Sequence, residues 1–331
     1  MRLGAFTVVD AYPDRPGGAA DRVNEVVRLA ETAEEAGLTS LWVAEHHFND
    51  SGVCPSPPVL LAACGMRTRS LRLGSLVSVL PLHRPVDVAE EYALLDRLLG
   101  GRLNLGVGSG YLASELAGFG IDPSEKRARF DAALATVLGG LAGEAIHAGG
   151  EATPPVRLNV VPVQRPHPPL WVAVQRSEAM VQVARRGLAV ALIPYATVDD
   201  VDALAGQIAE YRKALPAGAH GEVAVALHLY GGEKLALARE AFHRYVQTRL
   251  QTGSTFLQRK TAAHPEHASP EAIERNGLAL FGSGEEVAKR LERFARIGVD
   301  DLLGIFDFGG IPPEEVSRSV RAVGEAWRRR S

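Results

Sequence analysis

Short runs of β-type residues alternate with amphipathic stretches along nearly the whole chain, and this alternation limits the fold more than any single motif does. Leu3 to Val9 reads as a first strand. Asp21 to Ala36 reads as a helix, because Val23, Val26, Val27, Ala30 and Ala33 recur at spacings of three and four. Gly37 then ends it in the manner of a left-handed cap. The same reading gives strands over 39–45, 71–80, 103–107, 170–174, 188–193, 222–230 and 301–306. Helices are expected over 58–67, 86–99, 124–141, 178–186, 199–214, 233–250, 284–297 and 313–329. Strands separated by helices pair in parallel, since a parallel neighbour can be reached only through a crossover. Eight such strands in 331 residues predict one domain, 1–331, folded as an α/β (β/α)8 TIM barrel. An open, doubly wound sheet is the rival arrangement.

Two segments break the rhythm, 143–169 and 251–277, and both read as insertions. In a barrel they are expected near the C-terminal face, where active sites sit, as lids or as plain surface excursions. Composition narrows the function classes. A net charge of -3 leaves no electrostatic footprint for nucleic acid or an anionic membrane. No apolar stretch reaches the ~18 residues of a membrane span, and no signal segment opens the chain. Cys54 and Cys64 lie outside any C-x-x-C spacing, so neither a disulfide framework nor a cysteine metal site is expected, and the expected location is cytoplasmic.

The second strand runs through Leu41-Trp42-Val43-Ala44 into Glu45-His46-His47-Phe48. A buried run that delivers a carboxylate and two imidazoles to its C-terminal end is costly unless those groups are used or satisfied. Side chains alternate along a strand, so Trp42, Ala44 and His46 share one face and Val43, Glu45 and His47 the other. Only one histidine can then point into a barrel. Adjacent histidines make a poor chelate, and no second cluster in the sequence clearly completes one, so no metal is expected. Further on, Gly106-Val107-Gly108-Ser109-Gly110-Tyr111 follows a strand, and its glycines would permit close backbone approach to a ligand. It is not a dinucleotide fingerprint, because Tyr111 stands where the third glycine should be.

Taken together these motifs resemble the bacterial luciferase-like family of flavin-dependent monooxygenases. The matching pieces are Trp42 to Phe48, Val79-Leu80-Pro81-Leu82-His83-Arg84-Pro85 with Ala89-Glu90-Glu91, Leu94 to Leu98, Gly101-Arg102-Leu103, and Phe119-Gly120-Ile121-Asp122. The likeness is dense over residues 1–140 and thinner after them, where Leu170-Trp171-Val172-Ala173 and Ala184-Arg185-Arg186-Gly187 still fit. It implies a TIM barrel in which reduced FMN and molecular oxygen form a flavin hydroperoxide that oxidises a small organic substrate. A separate flavin reductase would supply the reduced FMN. His46 aligns with the family's catalytic histidine, while Glu45 and His47 are read as orienting or structural neighbours and His83 as a further candidate.

The same resemblance implies a cis peptide at Leu76-Val77 beside the flavin ring. It also implies a phosphate site in which Arg127 remains while Ser109 replaces a family arginine. Gln175, Arg176 and Ser177, where a strand meets the next helix N-terminus, are candidates to complete that site, and Arg176 is a candidate to replace the cation lost at Ser109. Family members pair through the helices after strands 2 and 3. A homodimer is therefore expected through 58–67, where Ala62, Ala63 and Gly65 are small, and 86–99. Three alternatives stand beside this reading: a deazaflavin-dependent oxidoreductase of the same superfamily, a non-catalytic flavin-binding partner subunit, and a flavin carrier.

Overall fold

A computed structural model of the chain describes residues 1–12, 14, 18–49, 52–149, 152–252 and 255–330. Its strands are β1 (Arg2–Thr7), β2 (Ser40–Val43), β3 (Arg72–Val79), β4 (Leu103–Gly108), β5 (Leu170–Ala173), β6 (Ala189–Leu192), β7 (Val223–Gly231), β8 (Ala279–Gly282) and β9 (Asp301–Ile305). Every strand pairing is parallel, in the order β6-β5-β4-β3-β2-β1-β9-β7-β8, and a further β6–β7 pairing closes the ring. This is a closed eight-stranded barrel surrounded by helices, the (β/α)8 fold expected from the alternation. The addition is β8, which pairs only with the second half of β7, through His228 to Gly231. It follows directly on 251–277, a stretch without clear periodicity to announce a further strand.

The barrel interior is filled rather than hollow. Trp42 of β2 and Trp171 of β5 meet edge to face with centroids 5.0 Å apart, although their strands are not neighbours. A methyl group at Gly74 would lie 2.5 Å from the Trp42 ring, so β3 carries a glycine where the indole crosses it. Ala5, Leu41, Leu73 and Leu103 are register partners across four strands and are all fully buried. Burial on both strand faces explains the continuous apolar runs. Most helices fall within a few residues of their expected bounds, and Gly37 has φ 76° just past the helix Gly18–Glu35.

The two insertions part company. The chain over 251–277 is largely helical, with Thr255–Ala263, Pro265–Ala268 and Pro270–Arg275. It sits at the C-terminal face: the Lys260 ammonium is buried and donates to the Tyr195 carbonyl (3.1 Å) and the Val198 carbonyl, just beyond β6. The described part of 143–169 forms no helix or strand beyond a single bridge between Ile146 and Val156, and it lies elsewhere. Gln164 accepts from Arg72 (3.0 Å) and donates to the Leu103 carbonyl (2.8 Å), both at strand starts, and Val163 donates to Asp96 near the end of the helix Pro85–Leu98. Among the described residues neither insertion borders the central cavity; the two differ in which end of the barrel they reach. The expectation that 143–169 lies near the C-terminal face is therefore corrected. A segment that follows a helix and leads into a barrel strand arrives at the N-terminal end of the barrel, whereas 251–277 leads into β8, which pairs with the second half of β7.

Candidate active site

At the C-terminal ends of β1 to β6 the interior opens into a cavity of about 420 Å³. His46, Leu76, Val77, Ser109, Arg127, Gln175 and Arg176 all border it. Ser177 does not; it opens the helix Ser177–Arg185 behind Arg176. β2 ends at Val43, two residues earlier than the sequence predicts, but Ala44 still donates to the Thr7 carbonyl (3.0 Å). His46 N–H then turns to the Cys54 carbonyl (3.0 Å). Of the two histidines only His46 borders the cavity, beside Ala44 and Glu45.

The carboxylate that holds His46 is Glu115, not its neighbour Glu45. His46 Nδ1 lies 2.9 Å from Glu115 Oε1, and the same oxygen accepts the His47 backbone N–H at 2.9 Å. Both side chains are buried. An ionised carboxylate only accepts, so Nδ1 carries the proton and Nε2 is left as the nitrogen free to take or give one. The Tyr111 ring packs edge-on against the imidazole, with centroids 6.0 Å apart. Glu115 sits in the six-residue helix Ala113–Gly118. No motif in the sequence marks it, and only the fold brings it across 69 positions to His46.

Glu45 serves a second imidazole pair. Its Oε1 lies 2.9 Å from His47 Nε2 and 2.7 Å from His83 Nε2, while Oε2 accepts the Val79 N–H at 3.0 Å. Burial would push the Glu45 carboxyl up, but these hydrogen bonds and the His83 charge outweigh it and hold it below the ordinary carboxylate range. For His83 burial likewise opposes the charged form, and the bond to Glu45 prevails and raises its pKa. The ligand atoms of Glu45, His47 and His83 lie within 4.8 Å of one another, a grouping the sequence did not reveal because His83 arrives from the far end of β3. The 2.7 and 2.9 Å separations are those of charge-assisted hydrogen bonds.

The Leu76-Val77 peptide bond is cis, at the position the family resemblance indicated. The β3–β4 register shifts between Ser75 and Ser78 around it. The glycines of β4 serve this contact: a methyl at Gly106 would lie 2.2 Å from the Ser75 carbonyl oxygen, and one at Gly108 2.7 Å from Val77 Cγ2. Gly106 is thus there for the approach of the neighbouring strand, whereas Gly108 and Gly110 also border the cavity.

Five cations border the cavity: Lys126 and Arg127 from the helix Lys126–Ala142, Arg176 and Arg186 from the two ends of the helix Ser177–Arg185, and Arg249 from the helix Leu235–Gln251. Lys126 donates to the Gly110 carbonyl (3.0 Å), and burial, with the nearby Arg176 charge, lowers its pKa. Arg127 and Arg186 share Asp131, at 2.8 and 3.0 Å. Arg127 is therefore a largely exposed helix arginine with a partner of its own. Sequence reasoning missed Lys126, the residue beside Arg127, and Arg186, which lies in a motif assigned no role. Clustered guanidinium and ammonium groups at a helix N-terminus suit a phosphate.

The family model for luciferase-like monooxygenases matches residues 1–301. The chain belongs to this family. Among luciferase-like relatives, the oxygenase component of flavin-dependent trigonelline monooxygenase from Acinetobacter baylyi is 25% identical over 327 residues, covering 93% of this chain and 90% of its own. The chain spans about half the length of the first curated relatives it matches, at 37% identity. The FMN-bound oxygenating constituent of 3,6-diketocamphane monooxygenase from Pseudomonas putida superposes with a TM-score of 0.81 at 19% identity, covering 98% of this chain and 97% of that one. A coenzyme F420-dependent tetrahydromethanopterin reductase from Methanopyrus kandleri gives 0.73 at 14%, with 99% of both chains covered. At these identities both structures speak for the luciferase-like fold alone.

Proposed function

We propose that the chain is the oxygenase of a two-component flavin monooxygenase, which takes reduced FMN from a separate reductase and uses molecular oxygen to oxidise a small organic substrate in the cytoplasm. The observation that carries this reading is a single cavity that combines a carboxylate-held imidazole with a cationic rim. The trigonelline relative, an oxygenase component by name, supports the division of labour.

In this reading Arg176 and Lys126, with Arg127 and Arg186 behind them and Gln175 alongside, would hold the FMN phosphate. Leu76, Val77 and the Gly108-Ser109-Gly110 backbone would lie against the ring system. Bound reduced flavin would supply the electrons that activate oxygen. His46 transfers a proton at Nε2, and Glu115 fixes the tautomer that leaves Nε2 available. The apolar walls, Phe6, Val8, Val174 and Leu192 among them, exclude water.

Anaerobic titration with reduced FMN and with reduced F420, followed by mixing with labelled oxygen and a substrate panel, tests the proposal. Tighter binding of reduced FMN and label in an organic product are expected. Preference for F420, or label only in hydrogen peroxide and water, would refute it.

A further inference from the structure

The helix Leu235–Gln251 turns one face to the barrel through Ala238, Ala241, Phe242, Tyr245 and Val246. The next position on that stripe is Arg249, which is 3% exposed. A guanidinium there is costly unless it is compensated. Asp10, just past β1, forms an ion pair with one terminal nitrogen of Arg249. Asp10 is itself fixed by the Tyr12 hydroxyl, which donates to it at 2.9 Å. Behind them Arg22 and Asp307 form a second buried pair. The Arg249 charge is therefore matched by Asp10.

What is left over is one donor. Arg249 Nε–H is buried and has no hydrogen-bond partner, in a residue that borders the active-site cavity. Buried donors are seldom left unmatched, and one at the wall of a binding cavity is matched when the ligand arrives. Its surroundings are aromatic: the guanidinium carbon lies 4.8 Å from the Tyr245 ring centroid, and Tyr111, Tyr195 and Tyr245 all border the cavity. Burial raises the pKa of these hydroxyls, that of Tyr111 to about 12, so they stay protonated at neutral pH; the Tyr245 hydroxyl already interacts with Tyr195 and with the Arg249 guanidinium.

We infer that Arg249, assisted by the Tyr111 and Tyr195 hydroxyls, receives the carbonyl oxygen of an otherwise apolar, neutral substrate. As an assignment of substrate class this rests on the monooxygenase reading above. A carbonyl accepts the orphaned N–H without bringing a charge. A carboxylate would have to be desolvated into a site whose cation Asp10 already neutralises. Phe6, Val8 and Leu192 offer no further polar groups, which leaves the rest of the ligand apolar.

Calorimetry in the presence of excess FMN decides it, with three naphthalenes that differ at one substituent: 2-acetylnaphthalene, 2-ethylnaphthalene and 2-naphthoate. A hydrogen bond from a charged donor predicts that the ketone binds ~10- to 100-fold more tightly than the ethyl compound, and the naphthoate no better than the ketone. The double variant Arg249→Met, Asp10→Asn removes both charges and strands neither, and in it the ketone advantage should vanish. Equal binding of ketone and hydrocarbon by the wild type overturns the inference, and so does tighter binding of the naphthoate. An advantage that survives in the double variant does the same. A preference present without FMN but lost with it would assign Arg249 to the flavin and equally refute the proposal. The wild-type comparison stands even where the variant does not fold. Because no turnover is involved, a ketone that binds selectively but is never oxygenated counts against the monooxygenase reading and leaves the carbonyl site intact.

Discussion

Two buried carboxylates divide the histidines of the site between them, and the division can be tested one residue at a time. If His46 moves a proton through Nε2, His46→Ala should keep FMN binding and lose turnover by ~100-fold or more. Near-normal coupled product formation in that variant would remove His46 from the chemistry. Glu115→Gln keeps the shape but no longer dictates which nitrogen is protonated; it should lower kcat and displace the pH profile while leaving KM for flavin nearly unchanged. The other carboxylate predicts a pH dependence. Glu45 is held below its ordinary 4.5, so its contribution is present above that value and lost as pH falls through the lowered pKa. His83 is held above its ordinary 6.5, so its contribution is complete below that value and lost as pH rises through the raised pKa. The melting-temperature gap between wild type and His83→Asn should thus be widest between about pH 4.5 and 6.5 and narrow on the alkaline side. A gap that stays constant from about pH 5 to about pH 9 would contradict the pair. On the rim, Arg176→Ala should weaken FMN by ~10-fold or more while hardly touching riboflavin, which lacks the phosphate. Equal losses for both ligands in calorimetry would return Arg176 to a structural role.

Among the elements, legibility followed periodicity. The alternation of strand and helix was sufficient for the barrel, because each unit repeats a pattern that only a parallel sheet with helical crossovers satisfies. Strand alternation separated the two histidines, and the family resemblance singled out His46 as the one at the site. Glu115 and Arg249 were illegible for different reasons. Glu115 lies in a helix too short to show a face, and its partner is 69 positions away. Arg249 did leave a trace, as a charge on the apolar stripe four residues after Tyr245, but a guanidinium near a helix end normally faces water and reads as such. The Gly106 contact was misread as room for a ligand when its nearest claimant is the Ser75 carbonyl. Gly106→Ala should accordingly cost about 1–3 kcal/mol as an overpacking change, seen as a lower urea midpoint. An unchanged midpoint would mean that β3 and β4 can separate at no cost.

For the molecule as a whole, the outer surface of the helices Pro57–Arg67 and Pro85–Leu98 carries Val59, Met66, Leu94 and Leu98, each more than half exposed. This is the face expected to pair two copies, although one of the small residues invoked for it is otherwise engaged: Gly65 is buried against Leu99. We propose this face as the pairing surface, because exposed apolar side chains on neighbouring helices favour association. Light scattering should give a dimer for the wild type and a monomer for Met66→Lys, Leu98→Lys; a wild-type monomer at micromolar concentration, or a dimer untouched by the double change, would place the contact elsewhere. The separation of the two insertions to opposite ends of the barrel has a consequence for how such a chain can diversify. Lengthening the Gln164 end alters neither the cavity wall nor the histidines, so a fluorescent domain or affinity handle grafted among the exposed residues near 154 should report on the enzyme without disturbing it. The Lys260 end packs against the backbone of Tyr195, itself a cavity residue, so changes of length there reach the cavity wall through that contact. Selection for new substrates would therefore be written at one pole of the barrel, and neutral drift in length at the other.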